Sequence, residues 1–332
     1  MRIAVDAMGG DKAPDVIIKG AILAAREIEA EIILVGVKEV IDKKLSSSRG
    51  VPDNISIENA TEIIEMNDSP ATSVRRKKDS SVNVAVKMVK EKRADAIVSA
   101  GNTGAVICAG SLFLKILPGV DRPGISVFLP TLKDVVQMID MGANIDAKPE
   151  NLLQYGIMGS IYSQHVLGKK SPKVGLLNIG EEETKGPEFV KETFKLLELN
   201  KNINFIGNVE GRDIYTGNCD VIVCDGFLGN VVLKVSEGLA DAIKEMIKRN
   251  LSLNIFTKLG ALLSAPAFKA LKKEIDYSEY GGAPLLGIDG VCIIAHGGSS
   301  ANAIKNAIRV AHESLLHNVN QHIIDTLTEE NK

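Results

Sequence analysis

The chain has 332 residues, 45% of them apolar and 24% charged, with no tryptophan and a formal net charge of −3. That length and composition support one large α/β core, or two lobes sharing a sheet, rather than a disordered or fibrous chain. The mild acidity argues against a general nucleic-acid surface, and no stretch is long and apolar enough to predict a spanning helix.

The chain opens MRIAVDAMGGDKAP, already strand and turn, without the apolar run of a signal peptide. A cytoplasmic protein is therefore expected. Arg2 to Asp6 reads as the first strand, and Pro14 sits where the first turn of an amphipathic helix wants it. Glu31 to Gly36 is a second strand, and Ile55 to Ala60 is a short third one after the polar Leu45–Asn54 turn. Thr61 to Ser81 is charged and irregular; Asp79 or Ser80 then caps a helix through Lys92. GISVFLP and VVQMIDMG, separated by TLKD, form a hairpin within the sheet. A helix follows from Pro149 to Leu167, and the chain ends in a helix from Ser300 toward Asp325 with a frayed TLTEENK tail. A boundary near residue 150 would give lobes 1–150 and 151–325, but the continuity favours a single unit, 1–325. Cys108, Cys219, Cys224 and Cys292 lie in or beside apolar stretches without metal-ligand spacing and read as buried, reduced thiols.

One event recurs four times: an apolar strand runs into a Gly-rich polar turn that opens a helix. It occurs at Ala96–Gly110, Val174–Phe189, Val221–Val235 and Val291–Ile308. Strands of this kind usually lie parallel, with ligands in the crevice beyond their carboxyl ends, and helix N-termini there suit an anion such as phosphate.

The first turn offers Gly101, Asn102, Thr103 and Gly104 as a phosphate cradle, or as a tight connection with Thr103 as helix cap. It has neither the Walker lysine nor the dinucleotide fingerprint. In the second, Lys185 stands before a helix start, where the dipole disfavours a cation unless an anion lies between; otherwise it is a solvated lysine. The third places Asp225 directly after a strand, as ligand or turn residue, and Asn230 in the helix start. The fourth places His296 after its strand, followed by Gly297, Gly298 and a capping Ser299 or Ser300. That histidine suits a general acid or a donor to phosphate, or one satisfying buried backbone. Asp6 and Asp140 lack the spacing of a metal loop, so no metal is expected.

Arg75, Arg76, Lys77 and Lys78 form the dense basic run of a mildly acidic chain, a solvated face or a landing site for an acidic partner. Between Leu251 and Lys273, Ile255, Phe256, Leu259, Leu262 and Leu263 recur at helical spacing, Ser264–Pro266 breaks the run, and Phe268 and Leu271 start a second apolar face edged by Lys258, Lys269, Lys272 and Lys273. This amphipathic hairpin, 251–273, suits core or dimer-interface packing, or contact with lipid.

Taken together and in this order, DAMGGDKAP, SVRRKKDSS, SAGNTGA, MIDMGAN, the TKG turn, CDGFLGN and AHGGSS resemble the PlsX family, the phosphate acyltransferases of bacterial phospholipid synthesis, from residue 1 to about 320. The resemblance implies a three-layer αβα sandwich around a mostly parallel sheet, like phosphotransacetylases and isocitrate/isopropylmalate dehydrogenases. It implies transfer of an acyl group from acyl-[acyl-carrier protein] to inorganic phosphate, no cofactor, a homodimer, and delivery of acyl-phosphate to a membrane glycerol-3-phosphate acyltransferase. On that reading Lys185, Asp225, Asn230 and His296 carry the chemistry, the glycine-rich turns hold phosphate, Arg75–Lys78 meet the carrier protein, and the hairpin makes peripheral membrane contact. The alternatives are a short-chain phosphotransacetylase using coenzyme A, a decarboxylating dehydrogenase, for which no metal-carboxylate cluster or nucleotide site is visible, and a non-enzymatic carrier-protein-binding scaffold at the membrane.

Overall fold

The computed structural model describes residues 1–275 and 281–330. In chain order its strands are β1 (Arg2–Asp6), β2 (Glu31–Gly36), β3 (Ile55–Asn59), β4 (Ala96–Ser99), β5 (Gly124–Pro130), β6 (Val135–Ile139), β7 (Lys173–Asn178), β8 (Asn204–Glu210), β9 (Val221–Val223), β10 (Ala283–Leu286) and β11 (Val291–Ile294). The helices are α1 (Asp15–Ala25), α2 (Lys38–Ser46), α3 (Pro70–Arg76), α4 (Ser81–Lys90), α5 (Thr103–Ala109), α6 (Pro149–His165), α7 (Glu188–Leu199), α8 (Gly226–Leu251), α9 (Ile255–Leu263), α10 (Ala265–Ile275), α11 (Ala301–Leu316) and α12 (Val319–Glu330).

The strands form one sheet in the order β3-β2-β1-β4-β11-β10-β5-β6-β9-β7-β8. Most neighbours are parallel, and the exceptions sit together: β11–β10, β10–β5 and β5–β6 are antiparallel. Three successive reversals leave β6, β9, β7 and β8 running opposite to β1, β4 and β11. The four strand–turn–helix units therefore do not all run in the same direction along the sheet. Across the short β10 the two sets of strand ends face each other, so the turns after β4 and β11 and the helix that follows β9 line one cleft, while the turn after β7 stays outside it.

Period-2 burial divides each strand between two apolar layers. On one face, Ile3, Val5, Leu34 and Val98 pack under α1 and α11, while Ile139, Val174 and Val221 pack under α6, α7 and α12. The other face is continuous, from Ala4 and Ile97 through Cys292 and Ile125 to Met138 and Ile222, covered by α4, α5 and the start of α8. This is the expected three-layer arrangement.

Several local expectations change. The irregular Thr61–Ser81 stretch contains α3, started by Pro70 behind Ser69. Pro14 is the N-cap of α1 rather than its first residue. Asn102, not Thr103, caps α5, its side chain accepting from the Ala105 N–H at 3.0 Å. The terminal helix breaks at Asn318, which has φ of 47°, and α12 then continues to Glu330 instead of fraying from Thr326. Cys108 is half-buried rather than buried. Burial pushes the Cys219 and Cys292 thiols up to about 12, so both stay protonated and unreactive.

The start of α8 is set by backbone contact. Asp140, fully buried at the end of β6, accepts N–H bonds from Ile125, Gly142, Ala143 and Asn144 at 2.7–3.2 Å. Burial raises its carboxyl pKa, and those four donors pull in the opposite direction. The loop they shape receives α8: the Gly226 N–H donates to the Asn144 carbonyl at 2.9 Å. A Cβ on Gly229 would lie 2.0 Å from the Asp140 carbonyl oxygen, a distance only glycine permits. Gly229→Ala is expected to lower unfolding stability by about 3 kcal/mol or more, by overpacking against rigid backbone. Urea denaturation checks this, a loss under about 1 kcal/mol meaning that α8 is free to shift.

Candidate active-site groove

On the continuous face lies a cleft of about 350 Å³, within the range of small-molecule sites. Its floor is apolar: Ile125 and Val127 from β5, Ala283 from β10, Ile294 from β11, and Met141. One wall is α5, presenting Thr103, Gly104 and Ile107; the other is α8, presenting Asn230, Leu233, Lys234 and Glu237. His296 and Ser299, from the turn after β11, close one end. Apolar floor and polar rim together suit a ligand with a greasy part and an anionic part.

Each wall is held by buried polar groups. At the α5 side, the β1 and β4 ends are tied by Asp6, which is buried and accepts from Ser99 Oγ at 2.7 Å and the Met8 N–H at 3.2 Å. Burial raises its pKa against the pull of these bonds. Gly9 meets Gly101 backbone to backbone, because a Cβ on Gly9 would fall 2.7 Å from the Gly101 nitrogen. The Gly101 N–H itself donates to Ser99 Oγ at 3.1 Å. Asn102 is buried and engaged on both sides of its amide: its Nδ2 donates to the Met66 and Asp68 carbonyls at 3.0 Å each, besides the Oδ1 cap of α5. Gly104 faces the groove, and a Cβ there would lie 2.6 Å from Pro70 Cγ, so α3 can pack closely on α5. Of the expected cradle, then, Thr103 and Gly104 line the groove, while Gly101 and Asn102 build the turn beneath it.

His296 is exposed at the groove end, and its Nδ1 accepts the Gly298 N–H at 3.1 Å. With Nδ1 an acceptor, the neutral ring carries its proton on Nε2 and is a hydrogen-bond donor there. Gly297 stands beside Asp11, whose N–H donates to the Gly297 carbonyl at 2.9 Å. Asn230, exposed, lies beside Gly142, a Cβ on which would sit 3.6 Å from the Asn230 side chain.

The remaining candidates fall elsewhere. Asp225 caps α8, its Oδ1 accepting from the Phe227 and Leu228 N–H groups at 2.9 and 3.0 Å. Lys185 is exposed in the long turn after β7, close to Gly180, and does not line the groove. In the basic run, Arg75, Arg76 and Lys78 are exposed, whereas Lys77 turns inward to Asp68 at 2.6 Å and the Ile63 carbonyl at 2.7 Å. In the hairpin, Phe256 is 83% exposed and Leu259 56%, and Ile255, Leu262, Leu263, Phe268 and Leu271 are exposed as well. The side chains of Lys272 and Lys273 lie outside the described residues. Among the described residues no group of three or more histidine, cysteine or carboxylate side chains is placed to hold a metal, and no helix is long and apolar enough to cross a membrane.

Lys234 and Glu237 are the groove residues that sequence reasoning passed over. Their signal was helical spacing: 230, 233, 234 and 237 share one face of a helix, so a functional Asn230 brings them with it.

Comparisons with known proteins show the family. The family described as "Fatty acid synthesis protein" matches residues 1–322. A protein of Geotalea daltonii named phosphate acyltransferase is 50% identical over 329 residues, covering 99% of this chain and 95% of that one. One of Heliobacterium modesticaldum with the same name is 54% identical over 319 residues, covering 96% and 95%. Among solved structures, a phosphotransacetylase from Streptococcus pyogenes superposes with a TM-score of 0.64 at 18% identity, covering 97% of this chain and 94% of that one, which speaks to the fold alone. With near-complete coverage at half identity, the chain belongs to the fatty acid synthesis protein family whose curated relatives are phosphate acyltransferases.

Proposed function

We propose that the groove between α5 and α8 is where an acyl group passes from the thioester of acyl-[acyl-carrier protein] to inorganic phosphate. The acyltransferase activity itself follows from membership of the family, whose relatives carry that name at about half identity over nearly the whole chain. The observation that supports this location is the meeting of Asn230 and His296 over an apolar floor of Ile125, Val127 and Ile294.

The chemistry asks little of the protein beyond placement. Phosphate is already an anionic nucleophile at neutral pH. One of its oxygens attacks the thioester carbonyl carbon, a tetrahedral oxyanion forms, and the C–S bond breaks. The thiol has an unperturbed pKa of about 8.5 and leaves readily. The proton carried by hydrogen phosphate balances the departing thiolate, giving acyl-phosphate and free carrier protein. His296 Nε2–H and the Asn230 amide supply donors to phosphate or to the oxyanion. The apolar floor takes the start of the acyl chain and keeps water from competing. Lys185, exposed before α7, acts in this scheme only through movement of its turn toward the groove.

Outside the groove, the exposed Arg75, Arg76 and Lys78 attract the acidic carrier protein, so the KM for the carrier substrate rises with salt. Two copies of the chain assemble as a homodimer. On α8, Val231, Val235, Leu239 and Ile243 recur every fourth residue on the outer face and are exposed, which suits helix pairing between copies. Beyond it, α9 and α10 present the apolar hairpin to the membrane surface, where a greasy acyl-phosphate is passed to a glycerol-3-phosphate acyltransferase.

Hydroxylamine trapping with palmitoyl-carrier protein and phosphate tests the reaction. The expected result is phosphate-dependent acyl-hydroxamate, with Asn230→Ala and His296→Ala each about 10²-fold slower while folded. Product from short-chain acyl-coenzyme A alone would favour the phosphotransacetylase reading, and near-wild-type rates for both variants would remove the groove from the chemistry.

The hairpin is tested by Leu259→Glu with Leu263→Glu. Lipid contact predicts an active dimer that no longer co-sediments with anionic vesicles. Monomers or aggregates would instead show that this face packs between copies.

A further inference from the structure

The groove holds an ion pair that the reaction scheme above leaves unused. Lys234 Nζ lies 2.8 Å from Glu237 Oε2, and both residues line the cleft. Lys234 is the one lysine or arginine among the described residues lining it. It stands one turn beyond Asn230 on the same face of α8. The pair is unequal: the lysine side chain is 60% exposed and the glutamate 21%.

On a plain helix surface such an i,i+3 pair contributes little. Inside a cleft that must take up phosphate the arrangement matters more. A carboxylate by itself would repel the anionic nucleophile, and a lone ammonium would hold any passing anion. Lysine has three donors. One directed at Glu237 fixes the side chain, and two remain for an oxyanion. Asn230 and His296 offer donors but no permanent charge, so a phosphate bound by them alone would stay electrostatically uncompensated.

We propose that Lys234 is the phosphate-binding cation of the groove and that Glu237 is its counter-ion, orienting the ammonium and neutralising it until phosphate enters. The inference rests on the groove being the place where phosphate is used. It assigns the charge that selects phosphate to a residue of α8 rather than to Lys185 on its separate turn.

Two measurements separate this inference from the reading it rests on. The first is thermal unfolding of the full chain with inorganic phosphate, against sodium chloride at equal ionic strength. Phosphate is expected to raise the Tm of the wild type more than that of Lys234→Met, with Lys234→Arg in between. The general salting effect of phosphate is common to all three proteins and cancels. The second is steady-state kinetics. Lys234→Met is expected to raise the KM for phosphate tenfold or more, the scale of one lost charge-assisted hydrogen bond, and to move the KM for acyl-carrier protein less than twofold. Lys234→Arg restores most of the loss, and Glu237→Gln lowers the phosphate KM by removing the competing charge.

Equal Tm gains in wild type and Lys234→Met would overturn the assignment, as would a matched rise in both Michaelis constants. A higher phosphate KM in Glu237→Gln would overturn the counter-ion role. If the wild type formed no acyl-phosphate while phosphate still stabilised it through Lys234, the proposed reaction would fall and the phosphate site would stand.

Discussion

The close approach of α8 to the end of β6 governs the site, because it decides which face of a 26-residue helix looks into the groove. Gly229 and Gly226 let the helix touch the 140–144 backbone directly, and the buried Asp140 carboxylate shapes that backbone through four N–H bonds. A helix so fixed at its first turn has no freedom to rotate. Asn230, Leu233, Lys234 and Glu237 must then face the floor of β5, β10 and β11. The opposite face carries the exposed stripe of Val231, Val235, Leu239 and Ile243 to the outside. One backbone contact thus sets both the groove lining on the inside and the apolar surface on the outside.

The facing wall uses the same device. Asp6 and Ser99 tie two parallel strand ends, Gly9 and Gly101 allow their loops to touch, and Asn102 fastens the 65–68 backbone over the start of α5. Both walls therefore rest on a buried aspartate at a strand end beside glycines that give up side chains for proximity. Buried polar groups of this kind are costly unless fully bonded, and here the cost maintains a fixed gap between α5 and α8. The glycines that look most like a phosphate cradle in sequence also bring backbones together, Gly101 against Gly9 and Gly104 against Pro70.

Much of this was legible in the residues. Apolar strands followed by glycine-rich turns marked β4, β7, β9 and β11, and the hairpin of β5 and β6 read directly from two apolar segments around the polar TLKD. Asn230 and His296 stood out because each follows a strand end by a few residues. The direction of the second half of the sheet did not. It depends on β10, four residues including a proline, which is too short and irregular to carry a pattern. Without β10 the two halves of the sheet read as running the same way. Lys185 stood out from its conflict with a helix dipole, and the structure places it exposed in the nine-residue turn between β7 and α7, outside the groove lining. Lys234 and Glu237 hid within an ordinary amphipathic pattern, where a charged i,i+3 pair is the common decoration of an exposed helix. Only the placement of Asn230 against Gly142 reveals that this part of the helix is turned inward.

The central claim is that phosphate is held in the groove by α8 and the turn after β11. Anomalous diffraction from crystals soaked in arsenate, an isostere of phosphate with its own absorption edge, locates the anion directly. The account predicts a peak within hydrogen-bonding distance of Asn230, Lys234 and His296. A peak confined to the turn bearing Lys185, with the groove empty at saturating arsenate, would contradict it.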